Sequence, residues 1–216
     1  MYVSGSPFRE YKPLQPVREM RRNEFCWCTS GKKWKRCHAI REHQVQLPLP
    51  VLHSKFYNEA KVTGICFHPD APEKCSGGAI RAHTIQKRTG LLEIAENGHV
   101  LSGRNSNPRT NTDDLQLIGI NSASTFRGFC SFHDTITFRA AEIINNPTKL
   151  AAFLLSYRAS CYEIYMKQVA LPTLRFLRDN LDAGRSFDEQ AEIQQELNAA
   201  IFSMKLGFGE HSRLKV

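Results

Sequence analysis

Cys26, Cys28, Cys37 and His38 fall within 13 residues, in the order C-x-C-x8-C-H. Thiolate and imidazole are ligands that zinc prefers, and four of them suit one tetrahedral ion. The Cys26–Cys28 pair can grip from one turn, while the adjacent Cys37 and His38 close the site from the next segment. A thiolate site of this kind lets a short segment fold without a core of its own. Between the ligand pairs, Lys32, Lys33, Lys35 and Arg36 place four cations on a short loop. That loop is suited to an anionic partner, nucleic acid above all.

This stretch resembles the SEC-C motif, the zinc knuckle found at the tail of the bacterial secretion ATPase and in many other bacterial proteins. The resemblance covers residues 23–39 and includes the run Ser30-Gly31-Lys32-Lys33. The family usually carries Pro-Cys-Gly around its second cysteine; here Trp27 and Thr29 flank Cys28, and the ligands are untouched. The motif implies zinc and does not by itself imply an enzyme.

A second constellation is spread through the middle of the chain. Cys66 and Cys75 form a C-x8-C pair, His83 sits in Arg81-Ala82-His83-Thr84-Ile85, and Cys130-Ser131-Phe132-His133-Asp134 follows. Over residues 62–140 this order resembles the zinc-supported HNH branch of the His-Me finger nucleases. That resemblance implies a β-hairpin followed by a helix, with a divalent ion held between them. It implies Cys66, Cys75, Cys130 and His133 as structural zinc ligands and His83 as the general base that activates water. Asp134 would then hold Mg²⁺ or Mn²⁺, and a carboxylate suits such a hard cation. Asn121 is the candidate for the family's central asparagine. Ala82 stands where the family often has a metal-binding Asp or His, and the first ligand spacing is wider than the common C-x2-C.

Alternative readings accompany these residues. His68, two residues after Cys66, could displace an assigned ligand. His83 could be a hydrogen-bonded structural histidine or itself a zinc ligand, and the cysteines could simply be buried. His99, after the Asn97-Gly98 turn, could approach His83 across a hairpin. Cys161 shares an apolar helical stripe with Tyr157 and Ile164 and reads as core. Other chemistries lack their signatures: there is no G-x-S-x-G, no phosphate-binding Gly-Lys-Ser/Thr loop and no dinucleotide fingerprint.

The elements that must position these groups belong to an α+β protein. Residues 1–22 read as an extended basic arm, with Pro7, Pro13 and Pro16 opposing regular structure. Residues 23–46 form the knuckle and a short helix at 39–46, followed by a linker at about 47–53. Residues 54–140 form the HNH-like region. In it, Val62–Cys66 reads as a strand, Ala79–Gln86 is β-compatible, Gly90–Glu96 is a helical turn and Gly103–Asp114 is a polar loop. Leu115–Ile120 is strand-like. Residues 141–216 are helical in pattern, opening at Asn146-Pro147 and interrupted near Ala170 by Pro172. A capping box at Ser186 and Glu189 opens a second helix through Ile193, Leu197, Ile201 and Met204. Gly207–Val216 reads as a tail. Tyr157, Arg158, Tyr162, Glu163, Tyr165 and Lys167 crowd one helix, as a core edge or as an interface to a protein partner.

The chain has 216 residues and a formal net charge of +8. Residues 1–61 hold 12 of the 29 Lys and Arg but 5 of the 21 Asp and Glu, so the excess positive charge belongs to the N-terminal part. No apolar run is long enough for a membrane span, and the N-terminus lacks a signal-peptide core. A cytoplasmic, reducing location is expected, in which the seven cysteines serve as ligands and core residues rather than disulfides. The leading expectation is a metal-dependent endonuclease acting on nucleic acid. The alternative is a non-catalytic zinc-binding adaptor for nucleic acid, ribosome or protein.

Overall fold

Thr125-Phe126-Arg127-Gly128-Phe129 is the strand around which the middle of the chain is built. In the computed structural model, which describes residues 10–102, 115–142 and 148–213, two compact units are present. One takes the described parts of Met1–Phe56 and Ala170–Leu214, and the other takes Tyr57–Val169. The elements are α1 (Leu49–Val62), β1 (Ile80–His83), α2 (Leu92–Ile94), β2 (His99–Ser102), β3 (Gln116–Gly119), β4 (Thr125–Phe129), α3 (Ser131–Phe138), α4 (Lys149–Asn180) and α5 (Phe187–Arg213). Helices and two small sheets make this an α+β structure. Among the described residues, no helix is long and apolar enough to cross a membrane.

In the unit of Tyr57–Val169, β1 pairs antiparallel with β4, with Ala82 opposite Phe126 and His83 opposite Thr125. β2 pairs antiparallel with β3 as a separate sheet. Phe126 and Phe129 point inward and meet α3 and α4 edge to face. Ring centroids lie 4.9 Å apart for Phe129–Phe138 and 5.4 Å for Phe126–Tyr162. Such aromatic pairs add to the stabilisation from area buried. Tyr157, Tyr162 and Tyr165 thus belong to this core, and Glu163 and Lys167 pair along the helix at 3.7 Å. Cys130 caps α3, its sulfur accepting the His133 amide at 3.4 Å.

In the other unit the N-terminal segment is extended but not free. Leu14 is buried and its amide donates to Gln195 Oε1 at 2.9 Å, while Tyr11 packs on Phe202 with centroids 5.4 Å apart. The expected arm is therefore laid on α5 from its Tyr11 and Leu14 onward. Its positive charges had obscured the apolar anchors. Residues 1–9 lie outside the described residues.

Several expectations are corrected. A linker at 47–53 is replaced by α1, with Pro50 in its first turn, where a missing N–H costs nothing. Residues 63–67 form no strand; Phe67 makes one ladder-like bond, its amide donating to Gly128 O at 2.9 Å. α4 runs uninterrupted through Pro172; the lost backbone bond and the ring's crowding of the i−4 carbonyl are a cost to the helix, and burial of its neighbours Val169 and Thr173 opposes that cost. α5 continues to Arg213 where a tail was expected. The start at Asn146-Pro147 and the loop Gly103–Asp114 lie outside the described residues. Thr148 Oγ1 accepts the Ala151 amide at the opening of α4. The Ser186–Glu189 capping box is formed, with the Ser186 amide donating to Glu189 Oε2 at 3.0 Å.

Candidate metal centres

The knuckle closes through a local turn and a bridge. The Cys26 amide donates to Lys32 O at 2.9 Å and the Trp34 amide to Glu24 O at 2.8 Å, bringing both ligand pairs together. His38 Nδ1 stands 3.2 Å from the sulfurs of both Cys26 and Cys37, and the Cys28 and Cys37 sulfurs are 3.5 Å apart. Tetrahedral zinc with bonds of about 2.0–2.3 Å holds its ligand atoms roughly 3.5 Å apart. All four ligand atoms lie within 4.8 Å of one another and all four residues are buried. The donor set and spacing fit zinc. Among the thiols, hydrogen bonds from Cys26 and Cys37 favour the Cys28 thiolate, while the bonds of Cys26 to Cys28 and Cys37, with burial, keep Cys26 protonated. Trp27 and Trp34 flank the ring of His38, with centroids 4.5 and 6.5 Å away. The knuckle thus has a core after all, built from Leu14, both tryptophans and the ligands themselves, with Met20 and Phe187 against it.

Residues 22–39 form a SEC-C motif. The chain is also 36% identical to a methionine aminopeptidase of Chlamydia pneumoniae over a 59-position match that covers 20% of this chain and 20% of that protein. The chain therefore spans about a fifth of the length of that curated relative. No solved structure matches it.

The basic loop is less free than its sequence suggests. Lys33 and Arg36 are exposed and Lys35 is half-buried, but Lys32 Nζ pairs with Asp179 at 2.9 Å.

Cys66, Cys75, Cys130 and His133 form a second cluster, also with all ligand atoms within 4.8 Å. His133 turns Nδ1 to three sulfurs, at 3.4 Å from Cys66, 3.6 Å from Cys75 and 3.3 Å from Cys130. Each ligand has an identifiable holder. Tyr157 donates to Phe67 O at 2.8 Å beside Cys66, and the Phe132 amide donates to Ser76 Oγ at 3.1 Å beside Cys75. Cys130 and His133 share the first turn of α3. Burial raises the Cys130 thiol, but the amides of His133 and Ser76 and the Ser76 hydroxyl outweigh it and bring it down to about 6. Cys75 is pushed up to about 12 by burial and by the neighbouring Cys66 and Cys130. Three cysteine sulfurs, one of them held as thiolate, together with an imidazole fit a thiophilic cation such as zinc. His68 is not in this cluster. It stacks on His133 with centroids 3.9 Å apart and takes the Asp70 amide on Nδ1.

His83 stays out of both clusters. It ends β1, is half-buried, and its Nε2 bonds Ile120 O at 2.9 Å. Asn121, the next residue, accepts from Lys87 Nζ. Asp134 lies on the first turn of α3, 3.5 Å from the guanidinium of Arg158. Burial raises the Asp134 carboxyl above its ordinary value, and Glu142 adds to this; Arg158 and the nearby His83 oppose it. His99 is exposed on the other sheet, with Nδ1 against Asn97 O. Cys161 is buried as expected. Sequence reading missed Arg158 as Asp134's partner, and missed Asp182, Arg41 and Gln194 around the knuckle. Nothing in local spacing reveals them, since each is polar and meets its partner only through the fold.

Proposed function

We propose that this protein is a metal-dependent nuclease with an HNH-like site at His83, and that both Cys/His clusters are structural zinc sites. The observation that carries the reading is the anchoring of His83. Its Nε2 is committed to Ile120 O at 2.9 Å, outside the thiol cluster, which leaves Nδ1 as the proton acceptor. The antiparallel β1–β4 pair running into α3 supports it, as does Asn121 directly after the residue that holds His83. In this reading Nδ1 of His83 takes a proton from water as the hydroxide attacks phosphorus, and the ester oxygen leaves. A Mg²⁺ or Mn²⁺ ion at Asp134 would supply charge stabilisation for the phosphorane. Lys33, Lys35 and Arg36, with Lys32 if it leaves Asp179, would hold phosphates in a salt-sensitive manner.

A second reading, a zinc-binding adaptor without catalysis, is favoured by one feature. Ala82 is buried and offers no ligand, and Asp134 already has a cationic partner in Arg158. Incubating plasmid DNA and structured RNA with Mg²⁺ or Mn²⁺ separates the two. Metal-dependent cleavage that is absent in a folded His83→Ala variant supports the nuclease. Binding without cleavage by the zinc-loaded wild type favours the adaptor.

A further inference from the structure

The knuckle does not end at its four ligands. His38 presents Nδ1 to the sulfurs and Nε2 to Asp182, with Nε2 2.8 Å from Oδ2. Asp182 follows the end of α4 and is 0% exposed. Gln194 of α5 donates to the same oxygen at 2.8 Å, and Arg41 Nε stands 3.0 Å from Oδ1. Arg41 in turn donates to Asp179 O at 2.9 Å and accepts the Gly184 amide on its carbonyl at 2.9 Å. Glu42 accepts the Phe187 amide at 3.0 Å.

We propose that Asp182 is the positioning residue of the knuckle's zinc, and that it makes zinc loading and the seating of the α4–α5 turn one cooperative event. An imidazole that gives Nδ1 to a metal carries its remaining proton on Nε2. A buried N–H needs an acceptor, and a carboxylate there fixes the tautomer and makes the ring a better ligand. A fully buried carboxylate needs compensation in return. Arg41, Gln194 and a metal-bearing His38 supply it from three sides. By linkage, whatever tightens the metal also tightens the turn, and the reverse.

The chain has only two tryptophans, and both flank His38, so their fluorescence reports on this site. A chelator titration of the full chain, followed by this signal, compares Asp182→Asn with wild type in two backgrounds. With His38 present, the substitution lowers zinc affinity by about 10- to 100-fold. With His38→Cys, no imidazole needs orienting and the substitution changes affinity little. Equal losses in both backgrounds, or no loss in the first, overturn the proposal. Should Asp182→Asn not fold, NMR of the imidazole nitrogens in zinc-loaded wild type decides. A metal-bound Nδ1 with a protonated Nε2 is expected, and the opposite tautomer overturns it. Coupling is read separately by hydrogen exchange over residues 180–187. Exchange there rises when zinc is removed from wild type, and an unchanged rate overturns the cooperative part.

Discussion

The guanidinium of Arg158 lies 3.5 Å from Asp134 Oδ1 and 3.8 Å over the ring of Phe138. Arg158 is 2% exposed, so its charge depends on Asp134 first, with Glu142 and the aromatic face adding compensation. Removing one partner of such a pair leaves a buried charge alone. Asp134→Ala is expected to destabilise the protein by about 3 kcal/mol in urea unfolding. The same substitution made on Arg158→Met should cost far less, because no charge is then stranded. Equal costs in the two backgrounds would show that the pair is not coupled.

Asp134 also gives a pH dependence with a definite sign. Its folded carboxyl lies above the ordinary 3.8, through burial first and Glu142 next, despite Arg158 and His83. Between the unfolded and folded values the native state binds more protons than the unfolded one. Stability therefore falls as pH rises through that window. Asp134→Asn removes the titration, so the wild type should lose stability relative to the variant over that window. Urea midpoints measured across the acid range check this, and a difference that grows in the other direction refutes it.

Gly184 marks where the α4–α5 turn meets the knuckle segment. Its φ is +68°, and a Cβ there would lie 2.6 Å from the backbone oxygen of Gln44. Backbone cannot move aside as a flexible side chain can. Gly184→Ala is expected to cost about 1–3 kcal/mol, from the left-handed conformation and the overlap together. Thermal unfolding measures the loss. The tryptophan signal of the knuckle should change with it, because Gly184 and Arg41 share a hydrogen bond.

Local chemistry was legible where it is written in consecutive residues. The knuckle ligands, the Ser186–Glu189 box and the Asn97-Gly98 turn each depend on spacings of a few residues. Misreadings came where long-range burial overrode a local cue. Residues 47–53 looked like a linker and Pro172 like a break, yet Pro50 opens a helix and Pro172 is carried through a buried stretch. Lys32 looked like a phosphate ligand and is held by Asp179, which is 147 residues away. Asp182, Gln190 and Gln194 are polar yet buried, the glutamines forming the polar end of the stripe that continues through Leu197 and Ile201. A polar residue buried for the sake of a distant partner has no periodicity to announce it.

The second cluster provides the last test, because its ligands come from three separate segments. Cys130, lowered to about 6 by donors around its sulfur, is a thiolate near neutral pH, whereas Cys75 at about 12 keeps its proton. Zinc binding there must displace the Cys75 proton, so the cluster's affinity should fall as pH falls. Metal analysis of protein loaded with excess zinc and desalted should give two ions per chain, one for each cluster. Cys130→Ser should remove one ion and leave the tryptophan signal of the knuckle unchanged. It should also lower the unfolding midpoint, since Cys130 caps α3 as well as belonging to the cluster. Cys75→Ser should remove the ion with a smaller change in the metal-free protein, because that side chain caps no helix. If the wild type and both serine variants each carry one ion, the cluster is an assembly of core thiols around His133 and not a zinc site.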